Sequence, residues 1–200
     1  MSRQRIHGVE EVEAYRHGLK QAIGRVRAGL TDVVVFGVEP TAVAADYGWM
    51  TPTVPAGLAR GTFQPVAGFV EKPPLSQALD LFSSGAVWNT MLLVAKAKAL
   101  LARYHQHLPF LAGVLPRVAD LRVEACETFL QDWYPRLPSH DFSRDLLTPS
   151  RPLWLYTWPS TIGWSDLGTP ERLEEWQSIQ RSRVHRVAGV DITGVECVAS

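Results

Sequence analysis

Hydrophobic and polar positions follow two rhythms along this 200-residue chain, one helical and one extended. Val12, Tyr15, Leu19, Ile23, Val26 and Leu30 recur every three or four residues, which predicts one amphipathic helix across residues 10–29. The β-branched run VVVFGV at 33–38, ended by Pro40, predicts a strand apolar on both faces. A helix followed by a short buried strand is an α/β rhythm. Residues 48–65, rich in Gly and Pro, predict a short strand and a surface loop. FQPVAGFVEK at 63–72 predicts an extended strand, and Pro65 places it at a sheet edge. Pro73-Pro74 leads into a helix over 75–83 that stops near Gly85, and AVWNTMLLVA at 86–95 predicts a second buried strand. A helix from Lys96 to His107 follows, then a helical segment over 109–134 interrupted by Pro116. FSRDLL predicts another short helix and LWLYTW at 153–158 a strand. Thr169-Pro170 supplies the N-cap and first position of a last helix over 170–181. This organisation reads as one domain over 1–182 with a C-terminal tail over 183–200.

Composition narrows the class. A chain 46% hydrophobic suffices for one well-buried domain, and its length argues against two. A formal net charge of zero points to neither nucleic acid nor an acidic membrane surface as partner. Cys126 and Cys197 have no partner at metal-ligand spacing and are too few for a disulfide framework, so the expected setting is the reducing cytoplasm. The N-terminal stretch lacks an apolar core of signal-peptide length, and no run approaches a membrane span.

Four short blocks could carry chemistry. Asp166, in GWSDLG, is expected on a short loop between a strand end and a helix start, where open α/β sheets collect ligands. Taken alone it reads equally well as a turn or cap acid. Glu71 and Lys72, in FVEKP, form a charged pair at a strand end, facing opposite sides if the strand continues through them. The carboxylate suits sugar hydroxyls and the ammonium a phosphate, although surface charge pairs are common. Gly48 would let a ligand approach the backbone closely. Asn89 interrupts an apolar strand and is either a structural hydrogen-bonder or a ligand contact.

Taken together and in order, FGVEPT, YGW, FVEKP, WNT, DFSRDLL and GWSDLG resemble the C-terminal half of the sugar-1-phosphate nucleotidyltransferases, most closely the bacterial mannose-1-phosphate guanylyltransferases. The similarity runs from about Val9 to Trp176. The resemblance implies a Rossmann-like nucleotide-diphospho-sugar transferase fold, a mixed and mostly parallel sheet flanked by helices. The implied reaction joins GTP and mannose 1-phosphate into GDP-mannose, releasing pyrophosphate, with magnesium bridging the phosphates. By motif match, Asp166 would hold the magnesium, Glu71 sugar hydroxyls, Lys72 the sugar phosphate, and Gly48 and Asn89 the sugar itself.

Departures from the family pattern are equally specific. The glycine-rich triphosphate signature is missing, since none of the fifteen glycines forms GxG. His7 aligns with the histidine of a family Asp-His pair, but Ile6 stands where the second metal aspartate belongs, and isoleucine cannot ligate magnesium. Residues 42–48, AVAADYG, replace a family PETGYG. The expectation is therefore a domain lacking the N-terminal nucleotide-binding part and inactive alone, with a nucleoside triphosphate bound only if the other half is supplied. The alternative is a non-catalytic sugar-phosphate-binding or regulatory subunit of a complete enzyme. Because VVVFGV needs cover on both faces, part of which the missing half would supply, a homo- or hetero-oligomer is expected.

Overall fold

The computed structural model of the chain describes residues 7–8, 11–119, 121–150 and 152–187. In chain order its elements are β1 (His7–Gly8), α1 (Val12–Arg27), β2 (Val33–Val38), β3 (Gly48–Pro52), β4 (Phe63–Glu71), α2 (Leu75–Ser83), β5 (Val87–Ala95), α3 (Ala97–His107), α4 (Pro109–Ala119), α5 (Val123–Trp133), a π-helical turn (Phe142–Leu147), β6 (Trp154–Trp158), β7 (Ser165–Asp166) and α6 (Pro170–Val187). They fall into two compact units, one of Glu13–Ser160 and one joining residues up to 12 with those from 161 on.

In the larger unit five strands pair in the order β2-β5-β3-β4-β6, and β6 closes back onto β2. The sheet is mixed, but the expected predominance of parallel pairing is corrected. β2 and β6 run parallel, whereas β2–β5, β3–β5, β3–β4 and β4–β6 are antiparallel. Connection length gives the reason. β3 and β4 are joined by residues 53–62 without a helix of crossover length, which suits an antiparallel return, while β2 and β6 are separated by most of the unit.

Pro65 does not mark an edge. β4 uses Phe63–Pro65 against β6 and Val66–Glu71 against β3. Thr51 faces Gly68 while Pro52 faces Val66, so Ala67 is the extra residue of a bulge that turns the strand from one neighbour to the other.

The strand β2 is buried at all six positions, covered from within its own unit. On one face Val33 and Val35 join Met50, Phe69, Val87 and Leu155 in the main apolar cluster, with Leu147 of the π-helical turn. On the other, Phe36 stacks on Trp158 at 4.6 Å between ring centroids, and Trp158 stacks on Tyr15 of α1 at 5.1 Å. Each such ring pair contributes about 0.5–1.5 kcal/mol beyond the area it buries. The expected deficit of cover on β2 is thereby corrected.

Two helix boundaries also differ from expectation. Pro116 lies inside α4, which runs to Ala119, and α5 begins at Val123. In the smaller unit α6 runs on to Val187, and residues 188–200 lie outside the described residues. The Thr169 hydroxyl accepts from the Arg172 backbone N–H at 3.3 Å, the cap its position predicts. Among the described residues no helix is long and apolar enough to cross a membrane.

Candidate functional site

One transverse row across the larger unit's sheet collects three of the expected residues. Gly48 pairs with Glu71 across β3 and β4. Trp49 pairs with Trp88 across β3 and β5, so the next residues out, Gly48 and Asn89, are neighbours. Asn89 in turn pairs with Gly37 of β2. Side chains opposite one another on paired strands share a face, which brings Glu71, Gly48 and Asn89 together on one side of the sheet. Gly48 is required by this geometry. A Cβ there would lie 2.5 Å from Glu71 Oε2 and 3.4 Å from the Asn89 Cβ, so the carboxylate is seated directly over the glycine.

Lys72 follows at the point where the strand stops. Its φ is +47°, and its backbone N–H donates to the Tyr47 carbonyl at 3.2 Å. A left-handed lysine directly before a proline is doubly unusual, because both chirality and the following ring disfavour helical conformations there. Strand alternation therefore ends at Glu71, and the opposed facing expected of the pair does not apply. Lys72 is exposed.

Asn89 sits in a second irregularity. Val35 pairs with Leu93 and Gly37 with Asn89, so two extra residues of β5 are accommodated between those pairs. Within this bulge Met91 has φ +60°. The Asn89 Oδ1 accepts from the Met91 N–H at 3.1 Å, and its Nδ2 donates to Met91 Sδ at 3.1 Å and to Ser143 Oγ at 3.3 Å. Ser143 Oγ donates to the same sulfur at 2.9 Å. Asn89 and Ser143 are 2% and 1% exposed, so the amide is satisfied from inside the chain. Thr90 anchors the bulge from the opposite side, donating to the Phe36 carbonyl at 2.7 Å.

Charge gathers beside this row. In the π-helical turn Arg144 Nε lies 2.9 Å from Asp145 Oδ1. Asp145, and more weakly Asp141 and Glu71, push the Arg144 guanidinium further up from its ordinary value. In return the hydrogen bond from Arg144, helped by the Asp141 backbone, holds the Asp145 carboxyl down at about 2. His140 Nδ1 approaches the same carboxylate at 3.4 Å.

Asp166 belongs to the smaller unit. It is not on a free loop, since it pairs antiparallel with His7 through β1 and β7. Only 5% exposed, it has Oδ2 3.7 Å from Arg172 Nη1 of α6. Gly168 repeats the arrangement at Gly48, because a Cβ there would stand 2.6 Å from Asp166 Oδ1. A carboxylate is the donor type magnesium takes, and one or two suffice when phosphates and water complete its shell. Among the described residues no cluster of three or more His, Cys, Asp or Glu side chains is arranged to hold a metal. The His7–Asp166 pairing brings the stretch that follows Ile6 opposite Asp166, and Ile6 itself lies outside the described residues.

Sequence reasoning had not singled out Met91, Ser143, Arg144 or Gly168. Gly168 was legible in principle, two residues past an acid it must make room for. Ser143 was not, since it meets Asn89 from 54 residues away.

Comparison with known proteins agrees with these motifs. Residues 12–182 match the sequence model of the nucleotidyl transferase family. The chain is 25% identical over 196 residues to the mannose-1-phosphate guanylyltransferase of Sinorhizobium fredii, covering 94% of this chain and 35% of that protein. It is 26% identical over 163 residues to the alginate biosynthesis protein AlgA of Pseudomonas fluorescens, covering 81% and 33%. Thus it spans about a third of the length of these curated relatives. A crystal structure named as mannose-1-phosphate geranyltransferase of Thermus thermophilus superposes with a TM-score of 0.69 at 25% identity, covering 86% of this chain and 47% of that one. A second, named as mannose-6-phosphate isomerase of Helicobacter pylori, shares the fold with a TM-score of 0.64 at 22% identity, covering 80% and 60%.

Proposed function

The chain belongs to the nucleotidyl transferase family, and on that premise we propose that it is the sugar-1-phosphate-binding part of a mannose-1-phosphate guanylyltransferase-like enzyme. The observation that carries the reading is the row of Glu71, Gly48 and Asn89, with Lys72 at the strand end beside it. Glu71, seated over Gly48, accepts hydrogen bonds from sugar hydroxyls. Lys72, exposed and held in a fixed turn by the Tyr47 carbonyl, offers its ammonium to the phosphate. Asp166 is the residue that would hold magnesium, which when bound neutralises phosphate charge during transfer. The 200 residues contain no glycine-rich triphosphate loop, so this chain by itself binds the acceptor and does not turn over.

Titration calorimetry with mannose 1-phosphate tests the binding half. Lys72→Ala should weaken binding and flatten its salt dependence, because an exposed charge on phosphate is screened. An absence of binding to the wild-type chain would sink the reading. A pyrophosphate-release assay with GTP, mannose 1-phosphate and magnesium tests the other half. Turnover above background that Asp166→Ala abolishes would show that the chain is a working enzyme after all.

A further inference from the structure

The β5 bulge joins three side chains whose hydrogen-bonding roles admit one arrangement. A backbone N–H can only donate and a thioether can only accept. The Met91 N–H therefore requires Oδ1 of Asn89 on its side, and Met91 Sδ requires Nδ2 on the other. Turning the carboxamide over would set donor against donor and acceptor against acceptor. Ser143 fits the same scheme, taking one Nδ2 hydrogen on its oxygen and giving its own hydrogen to the sulfur. Both amide hydrogens are thus used, and the capacity left is a lone pair on Oδ1. Holding Met91 at φ +60° carries a steric strain that a glycine would not incur. Side chains at such positions persist where the surroundings over-determine them. Here the over-determination is the sulfur, which lies on both Asn89 and Ser143.

We propose that Met91 and Ser143 are positioning residues of the sugar-phosphate site, clamping the Asn89 carboxamide so that the bulge keeps Asn89 in place beside Gly48 and Glu71. This rests on the function proposed above for its ligand, but not for the clamp itself. The distinction can be measured, because Asn89 is the only asparagine in the chain. Selective labelling with 15N-asparagine gives a single side-chain amide pair by NMR. In the wild-type chain both hydrogens should exchange slowly with solvent. Met91→Leu, which keeps the size and removes the acceptor, and Ser143→Ala should each speed that exchange at least tenfold. At a temperature where every variant is folded, each should also weaken mannose 1-phosphate binding about five- to tenfold, the loss expected for one hydrogen bond's worth of order. Ser143→Thr, which restores a hydroxyl, should recover both readings.

Unchanged amide exchange in Met91→Leu and Ser143→Ala overturns the clamp. Altered exchange with unchanged affinity overturns the positioning role, since a merely structural contact would shift stability alone. If the wild-type chain takes up no mannose 1-phosphate, the proposed function fails, while the amide exchange still decides the clamp.

Discussion

Replacing Gly48 by Ala tests whether the glycine serves to seat a carboxylate. Gly48 has no positive φ, so its backbone accepts alanine without strain. The added methyl would stand 2.5 Å from Glu71 Oε2, roughly 1 Å inside ordinary carbon–oxygen contact. Its other neighbour, the Asn89 Cβ at 3.4 Å, is at van der Waals distance. The atom that must move is therefore the far end of a flexible side chain, and the cost falls on position rather than on the fold. Glycine to alanine also recovers about 0.4–1 kcal/mol through the unfolded chain, so the unfolding midpoint should shift by only a few degrees. Binding should respond strongly. A charge-assisted hydrogen bond contributes about 1.5–3 kcal/mol, so displacing Glu71 should weaken mannose 1-phosphate about 10- to 150-fold. Calorimetry on Gly48→Ala, Glu71→Ala and the double variant forms a cycle. If the methyl acts through Glu71, it should do little once Glu71 is already alanine. Equal losses in both backgrounds, or a Gly48→Ala chain that binds like the wild type, would refute the seating argument.

Two glycines of α1 should answer the same substitution with opposite signs. Gly24→Ala meets nothing within 4 Å and should stabilise by roughly 0.8–1 kcal/mol of helix propensity. Gly18→Ala would put its methyl 2.7 Å from Trp158 Nε1 and 2.8 Å from Tyr156 Cε1, so overpacking of about 1–3 kcal/mol should outweigh that gain; thermal melts that rank them the other way would contradict the packing of α1 on β6. Asp145, held at about 2 by Arg144 in the folded state, has a folded value below that of an unfolded carboxyl near about 4. Its contribution to stability is therefore present above about pH 4 and lost as pH falls through about 2, and Asp145→Asn should flatten denaturant midpoints across that window. A slope as steep in the variant as in the wild type would remove Asp145 from the acid response.

Much of the local structure was legible before any tertiary contact was known. The strand over 33–38 and the helix over 75–83 stand where the hydrophobic pattern puts them, and Thr169 caps α6 as its position beside Pro170 suggests. These features depend on residues a few positions apart, whose periodicity is itself the cause of the element. FVEKP and WNT stood out as candidates for chemistry, because a charged pair at a strand end and an amide in an apolar strand differ from their neighbours.

What the chain's one-dimensional pattern could not decide is which strands meet, in which direction and with which slips. Alternating side chains look the same in parallel and antiparallel pairings, so the preponderance of antiparallel neighbours and the return of β6 onto β2 emerged only from the assembled sheet. The same holds for the site. Nothing local marks Met91 as left-handed, Ser143 as the partner of Asn89, or Gly48 as the seat of Glu71. Residue types and element boundaries are set by neighbours along the chain. The bulges and the convergence of Gly48, Glu71 and Asn89 on one face are set by contacts between segments far apart in sequence, where packing and hydrogen-bond satisfaction, rather than propensity, select the arrangement.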